Sequence, residues 1–298
     1  MKIVVENLVK CYGNKPAIND ISFEIHEGDF FTLAGANGAG KSTLIDIMLN
    51  RIKASSGEIL IDGKEIVDYH LFKGVGVVFQ DNVLDQELSV YQNILIRAKM
   101  HYNKEEAKKY TENWLEKLQI KNSRNTRYEK LSGGERRKVD LIVGLIGNPQ
   151  FLIMDEPTTG IDVQSRKQIW QCIHEIRKQS NLTILLTTHY LEEAEQSNNM
   201  IILNKGNIVA KGSPYELKQQ YVKKECYLYT EDVEKLQIKL IYDGIEAKIE
   251  QNKVVIVFNT NEECIRLLEK YKDHYHHFEV ILGSLEKAFM NIMKGDQQ

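Results

Sequence analysis

Residues 35 to 42, Gly-Ala-Asn-Gly-Ala-Gly-Lys-Ser, gather three glycines, an ammonium and a hydroxyl at the spacing G-x-x-x-x-G-K-[ST]. Glycines let the backbone curl until successive N–H groups point at phosphate oxygens. Lys41 then reaches the β and γ phosphates, and the Ser42 hydroxyl can ligate Mg²⁺. A turn that merely caps a helix is the bland alternative, but the apolar run before the loop and the helical run after it supply the strand, loop and helix that phosphate binding needs. Further on, "FLIMDE" at 151 to 156 sets two carboxylates behind four apolar residues, so both emerge at a strand end. Asp155 is expected in the Mg²⁺ sphere. Glu156 is expected to orient and polarise an attacking water, because neighbouring strand residues point opposite ways and cannot both face one metal.

A second glycine pair, "LSGGE" at 131 to 135, precedes the helical run "RRKVDLIVGLIG". A helix N-terminus with open N–H groups attracts anions. Ser132 and Glu135 also fit the capping box S-x-x-E, so capping alone would explain them. Capping does not call for Gly133 and Gly134, which are poor helix formers, whereas close approach to a phosphate does.

These residues need elements to hold them. "KIVVENL", "ISFEI" and "FFTLAG" read as strands, and the third runs into the glycine loop and then the helical "STLIDIMLNRI". "LSVYQNILIRAKMHYNKEEAKKYTENWLEKLQI" is helical, part of an insert at about 85–145. "FLIMDEP" and "LTILLTTH" are buried strands of the parallel type around the amphipathic "VQSRKQIWQCIHEIRKQ". "NMIILNKGNIVAKG" reads as two short strands about a Lys-Gly turn. After 215 the spacing becomes strand, helix, strand, strand, helix, strand and a final helix, the ferredoxin-like split βαβ pattern. The expectation is an α/β P-loop cassette over 1–215 and a small α+β accessory domain over 216–298.

The 298 residues, 42% hydrophobic and 27% charged, describe a globular protein with room for a sizeable core. A net charge of −3 carries no nucleic-acid footprint. The four cysteines, Cys11, Cys172, Cys226 and Cys264, form no C-x-x-C pair, which suits a reducing compartment. No window approaches the ~18 apolar residues of a membrane span, so any pore belongs to another chain.

Together, the phosphate loop, "LSGGE" and, some twenty residues later, "FLIMDEP" make the chain resemble the nucleotide-binding subunit of an ABC transporter over roughly residues 1–215. The resemblance implies ATP as substrate, held by Gly35, Asn37, Gly38, Ala39, Gly40, Lys41, Ser42 and Thr43, with Tyr12 of "CYGNKPA" stacked on adenine. It implies that Gln80 in "VVFQD" touches the metal beside Ser42 and Asp155, and that His189 in "LLTTHY" contacts the γ-phosphate, joining Glu156 and Lys41 as catalytic residues. It further implies a head-to-tail homodimer that closes on ATP. Ser132, Gly133, Gly134 and Glu135 would then meet the partner's nucleotide, and Asp162 in "TTGID" would cross to the opposite subunit. Glu135 replaces the glutamine of many members, and the following Arg136, Arg137 and Lys138 face the nucleotide, the partner or solvent.

"TTHYLEEAE", "GSPYEL" and "GSLEKAF" are similar to exporter ATPases of the drug and antibiotic resistance type. The expected function is hydrolysis of ATP to energise a separate membrane permease exporting hydrophobic drug-like or antibiotic compounds, from the cytoplasmic face of the membrane. The permease would dock near Gln80 and the adjoining "DNVLDQELSVYQN", where Val83, Leu84 and Leu88 stand in a polar setting; packing of these three inside the insert is the equal alternative. The rival reading is a soluble ABC ATPase acting on ribosome or DNA, which would bring a second cassette or a long coiled coil. His274, His276 and His277 suggest a metal site, but no nearby Cys or carboxylate cluster completes it.

Overall fold

The computed structural model describes residues 1–66, 74–81 and 83–295. The chain divides into two compact units, Met1–Lys211 and Gly212–Gln298.

Two sheets build the first unit. β1 (Ile3–Tyr12) and β2 (Lys15–Ile25) form an antiparallel hairpin. The central sheet opens with β3 (Phe30–Gly35), which leads through the glycine loop into α1 (Lys41–Met48). β4 (Ser56–Ile61) and β5 (Lys64–Glu65) complete the antiparallel sheet in the order β2-β1-β4-β5. β6 (Val75–Val78), β7 (Phe151–Asp155), β8 (Thr183–Thr188), β9 (Asn199–Asn204) and β10 (Asn207–Gly212) join β3 in the order β10-β9-β3-β8-β7-β6. From β9 through β6 the pairing is parallel.

Side chains alternate across a strand, so each central strand feeds two cores. Phe31, Leu33, Phe151 and Ile153 pack towards β1, β2, β4 and α1. Phe30, Leu152, Met154 and Ile184 pack towards the helices on the other face. Burial on both faces explains why these strands are apolar runs rather than alternating ones.

The insert contains α2 (Val90–Ala98), α3 (Lys104–Lys117) and α4 (Gly133–Gly144). All three begin with capping boxes, Ser89 with Gln92, Asn103 with Glu106 and Ser132 with Glu135. The long helical run therefore breaks before Asn103, whose side chain accepts from the N–H groups of Glu105 and Glu106. α5 (Val163–Gln179) spans the amphipathic stretch between β7 and β8, and the short α6 (Leu191–Ala194) follows β8. Lys205 and Gly206, both at positive φ, turn β9 into β10.

α7 (Pro214–Tyr221), capped by Ser213, opens the second unit. There follow β11 (Lys224–Tyr229), α8 (Val233–Tyr242), β12 (Ala247–Glu250), β13 (Lys253–Phe258), α9 (Asn261–Lys270), β14 (His277–Ile281) and α10 (Leu285–Gly295). The sheet order is β12-β13-β11-β14, antiparallel throughout, which is the ferredoxin-like arrangement. Its core gathers Cys226, Leu228, Leu236, Leu240, Ile256 and Phe258. The division falls after Lys211 because α7 packs on α10, where Asn291 donates to the Tyr221 carbonyl at 2.7 Å.

Candidate functional site

The parallel register brings the carboxyl ends of β3, β7 and β8 side by side: Ala34 pairs with Thr188, and Asp155 with Thr187. Ligands of open α/β sheets bind at such ends. There the glycine loop turns into α1, whose N-terminus has no side-chain cap and so presents open N–H groups to an anion. Gly40 is required by space as well as conformation. Its φ is 112°, and a Cβ would lie 2.5 Å from the Ala17 carbonyl oxygen.

Lys41 folds back over the loop. Its ammonium donates to the carbonyls of Gly35 at 2.7 Å and Ala36 at 3.3 Å, and lies 3.9 Å from Glu156 Oε1. Burial holds its pKa below the usual lysine value, against the opposing pull of Glu156 and Asp155. A partly desolvated cation whose main partners are carbonyls is well suited to an incoming polyphosphate.

The two acids separate by a backbone device other than strand alternation. β7 ends at Asp155, and Glu156 takes a left-handed conformation, φ 44°. Its N–H is held by the Thr187 carbonyl at 3.1 Å and hydroxyl at 3.0 Å. The same hydroxyl donates to Asp155 Oδ1. Burial raises the Asp155 pKa despite that bond. The Glu156 carboxylate accepts from the Thr159 hydroxyl at 3.2 Å, and its Oε2 stands 3.2 Å from His189 Nδ1. Ammonium, carboxylate and imidazole thus meet around one space.

That space is a cleft of about 730 Å³ lined by Asn37, Gly38, Gly40, Lys41, Ser42, Thr43, Gln80, Glu156 and His189, together with Ala17 and Thr159. Gly35 and Ala39 are not among the lining residues, and Asp155 is tied to the group through the Thr187 hydroxyl. Tyr12 stands apart, 55% exposed, with the Lys10 ammonium 5.3 Å over its ring. Ser132, Gly133, Gly134, Glu135 and Asp162 do not line the cleft. The "LSGGE" turn therefore lies apart from the cleft that the first glycine loop lines.

Within "LSGGE" the two glycines differ. A Cβ on Gly134 would lie 2.2 Å from Ser165 Oγ and 2.6 Å from its Cβ, so α5 alone requires glycine there. A Cβ on Gly133 would meet only ordinary contacts, the nearest 3.6 Å from the Gly160 carbonyl oxygen. Packing against α5 is thus by itself enough to call for glycine at 134. Asp162 is exposed and caps α5, accepting from the Ser165 N–H at 2.9 Å. Its bonds to Ser165 hold its pKa below the usual carboxylate value.

Of the three cations after Glu135, two contradict expectation. Arg137 and Lys138 do not face solvent; both are buried and bonded within the chain. Lys138 donates to Gln168, and Arg137 to the carbonyls of Phe79 and Gln80. Arg136 donates to the Glu129 carbonyl at 2.6 Å.

Glu193 was not singled out from sequence. It is buried and accepts from the Thr158 hydroxyl, from Thr188 at 2.7 Å and from the Trp170 indole at 3.1 Å. It thereby ties the turn after Glu156, the residue before His189 and α5 into one cluster. In sequence Glu193 is indistinguishable from its exposed neighbour Glu192.

The docking segment is mixed. Val83 is exposed, Leu84 lies in the helical core and Leu88 is half-buried, while Asn82 lies outside the described residues. His274 Nε2 sits 2.7 Å from the Lys239 ammonium, and His277 lies 3.7 Å from Glu279. The His276 N–H donates to the Tyr229 carbonyl. Among the described residues no group of three or more metal-ligating side chains gathers, and no helix is long and apolar enough to cross a membrane.

The ABC transporter family model matches residues 18–159, from β2 to the turn after Glu156. The doxorubicin resistance ATP-binding protein DrrA of Mycobacterium tuberculosis is 34% identical over 242 residues, 79% of this chain and 73% of that protein. This chain belongs to the ABC transporter ATP-binding proteins. The Nod factor export ATP-binding protein I of Rhizobium leguminosarum bv. viciae is 37% identical over 217 residues, covering 72% of this chain and 70% of that one. A dimeric bacterial ABC transporter cassette superposes with a TM-score of 0.66 at 26% identity, over 71% of this chain and 98% of that one. The cassette is accordingly an ATPase of the transporter kind. Both named relatives are subunits of resistance or export systems, which disfavours the ribosome and DNA alternative.

Proposed function

We propose that the chain hydrolyses Mg-ATP as one half of a head-to-tail homodimer and so drives a separate membrane permease that exports hydrophobic, drug-like compounds. The observation that carries this reading is the meeting of Lys41, Glu156 and His189 in a cleft that lacks the "LSGGE" half-site.

The ammonium of Lys41 exchanges its carbonyl partners for β and γ phosphate oxygens. Glu156 orients the attacking water and accepts its proton as the water oxygen bonds to the γ-phosphorus, while the bond from that phosphorus to the β,γ-bridging oxygen breaks and ADP leaves. His189 holds the γ-phosphate and keeps the Glu156 carboxylate in place. Thr187 and Glu193 fix the turns on which both stand. The Ser42 hydroxyl, the Gln80 amide and the Asp155 carboxylate form an all-oxygen set that suits a hard cation, and these residues would hold Mg²⁺. Bound there, Mg²⁺ supplies charge neutralisation at the phosphates. Tyr12, exposed beside the cleft-lining strand β2, is the adenine platform.

Ser132, Gly133, Glu135 and Asp162 serve the partner's nucleotide. ATP then favours the closed pair and hydrolysis releases it, a population shift that can move attached membrane helices. The permease docks at Gln80 and Val83 on the cytoplasmic face. The export direction and substrate class rest on the resistance and export proteins that resemble this chain.

The deciding experiment weighs purified Glu156→Gln protein by light scattering with and without Mg-ATP, beside the same protein carrying Ser132→Arg. Mass doubling with ATP that Ser132→Arg abolishes is the expected result. A protein that stays monomeric removes the homodimer. In the same preparation turnover should fall roughly 10²–10⁴-fold with ATP binding retained, as for loss of a positioned base; unchanged turnover would remove Glu156 from that role.

A further inference from the structure

Arg137 is a buried cation that the proposed reaction does not use. It sits in the second turn of α4, 6% exposed, in a helix already anchored by Val139, Leu141 and Ile142. Its guanidinium points across to the loop after β6. Nη1 donates to the Phe79 carbonyl, and Nη2 donates to the Gln80 carbonyl at 3.0 Å. Asp140 balances the charge, with Oδ2 at 3.6 Å from Nη1, and its Oδ1 accepts from the Tyr128 hydroxyl at 2.7 Å. The Tyr128 and Glu129 N–H groups donate in turn to the carbonyls of Leu88 and Gln86, so one network grips both ends of the segment from 79 to 88.

We propose that Arg137 is a positioning residue for ATP hydrolysis: it holds the Gln80 loop by its backbone and couples the helix headed by "LSGGE" to the cleft of the same chain. The inference rests on the reading of Gln80 as a residue of that cleft. A guanidinium fork binds two successive carbonyls at fixed geometry, leaving the Gln80 side chain free to face the cleft. When the partner's nucleotide pulls on the N-terminus of α4, the fork carries the loop with it. One half-site thereby reports its occupancy to the other. An ammonium at 137 would lack the rigid planar fork and so would hold the pair less firmly.

The test uses the full chain with Arg137→Met and Arg137→Lys. Amide hydrogen exchange over 79–88 should quicken by about tenfold or more in the methionine variant and less in the lysine variant, with β7 unchanged. The methionine variant should lose roughly 10- to 100-fold in kcat with KM within about threefold, the pattern of misplacement rather than lost binding. In a double-mutant cycle with Gln80→Ala, the two losses should fail to multiply, because both act through one loop. Exchange at the parent rate in both variants, or kcat losses that multiply fully, would overturn the proposal. If the methionine variant does not fold, the lysine variant decides on the same exchange measurement. If Gln80→Ala alone leaves kcat unchanged, the role of Gln80 falls, and the exchange data still decide whether Arg137 holds the loop.

Discussion

Burial pushes the Asp140 carboxyl up to about 6, although the Tyr128 hydroxyl and the guanidinium groups of Arg137, Arg136 and Arg97 all pull the other way. A raised carboxylate pKa means that the folded state binds the proton more tightly than the unfolded state does. Ionised Asp140 therefore weakens the fold above about pH 6, and the penalty is relieved as pH falls from there towards the ordinary aspartate value of 3.8. Relative to Asp140→Asn, wild-type protein should gain stability between pH 7 and 4, by on the order of 3 kcal/mol at most. Urea midpoints of the two proteins across that range check it, and parallel pH curves would refute it. The residues of the glycine loop that line the cleft were legible because their spacing is imposed by local backbone geometry. Arg137 and Glu193 were not, because their partners are carbonyls 57 and 58 residues away and hydroxyls on two other segments.

At the scale of the element, α4 is packed differently at two adjacent positions. Gly134 lies against Ser165 of α5, whereas Gly133 has ordinary room. Gly134→Ala should cost roughly 1–3 kcal/mol of stability through overpacking, and Ser165→Gly should recover part of it. Gly133→Ala should leave stability within about 1 kcal/mol, helix propensity favouring alanine, while weakening ATP-driven pairing. Denaturant melts and light scattering separate the two, and equal melting losses would contradict the assignment. Strands and helices were legible for a related reason: apolar runs such as "FLIMD" and the 3.6-residue pattern of α5 follow from which faces are buried. Harder to read was the break between α2 and α3, decided by the Asn103 cap. The meaning of the charged run after Glu135 was also hidden, since only tertiary packing shows that Arg137 and Lys138 point inward.

For the whole molecule, the cleft is lined entirely by residues of Met1–Lys211. Mg-ATP should therefore raise the melting temperature of that unit alone, by the equivalent of about 2.7 kcal/mol at a hundredfold excess over Kd. Calorimetry of Glu156→Gln protein should show the second transition unmoved; a joint shift would mean that the units unfold together. The boundary itself was only roughly legible, because Ser213 and α7 look like a continuation of the first unit until α10 is seen to pack on them. The left-handed backbone at Glu156 reaches further than its own turn. A side chain held at φ 44° strains the chain by on the order of 1–3 kcal/mol, and glycine or asparagine there would relax it. A laboratory evolution campaign that rewards survival of heating, without assaying phosphate release, should therefore enrich inert chains changed at this one position. The trait under selection and the work of the protein would part company at a single dihedral angle.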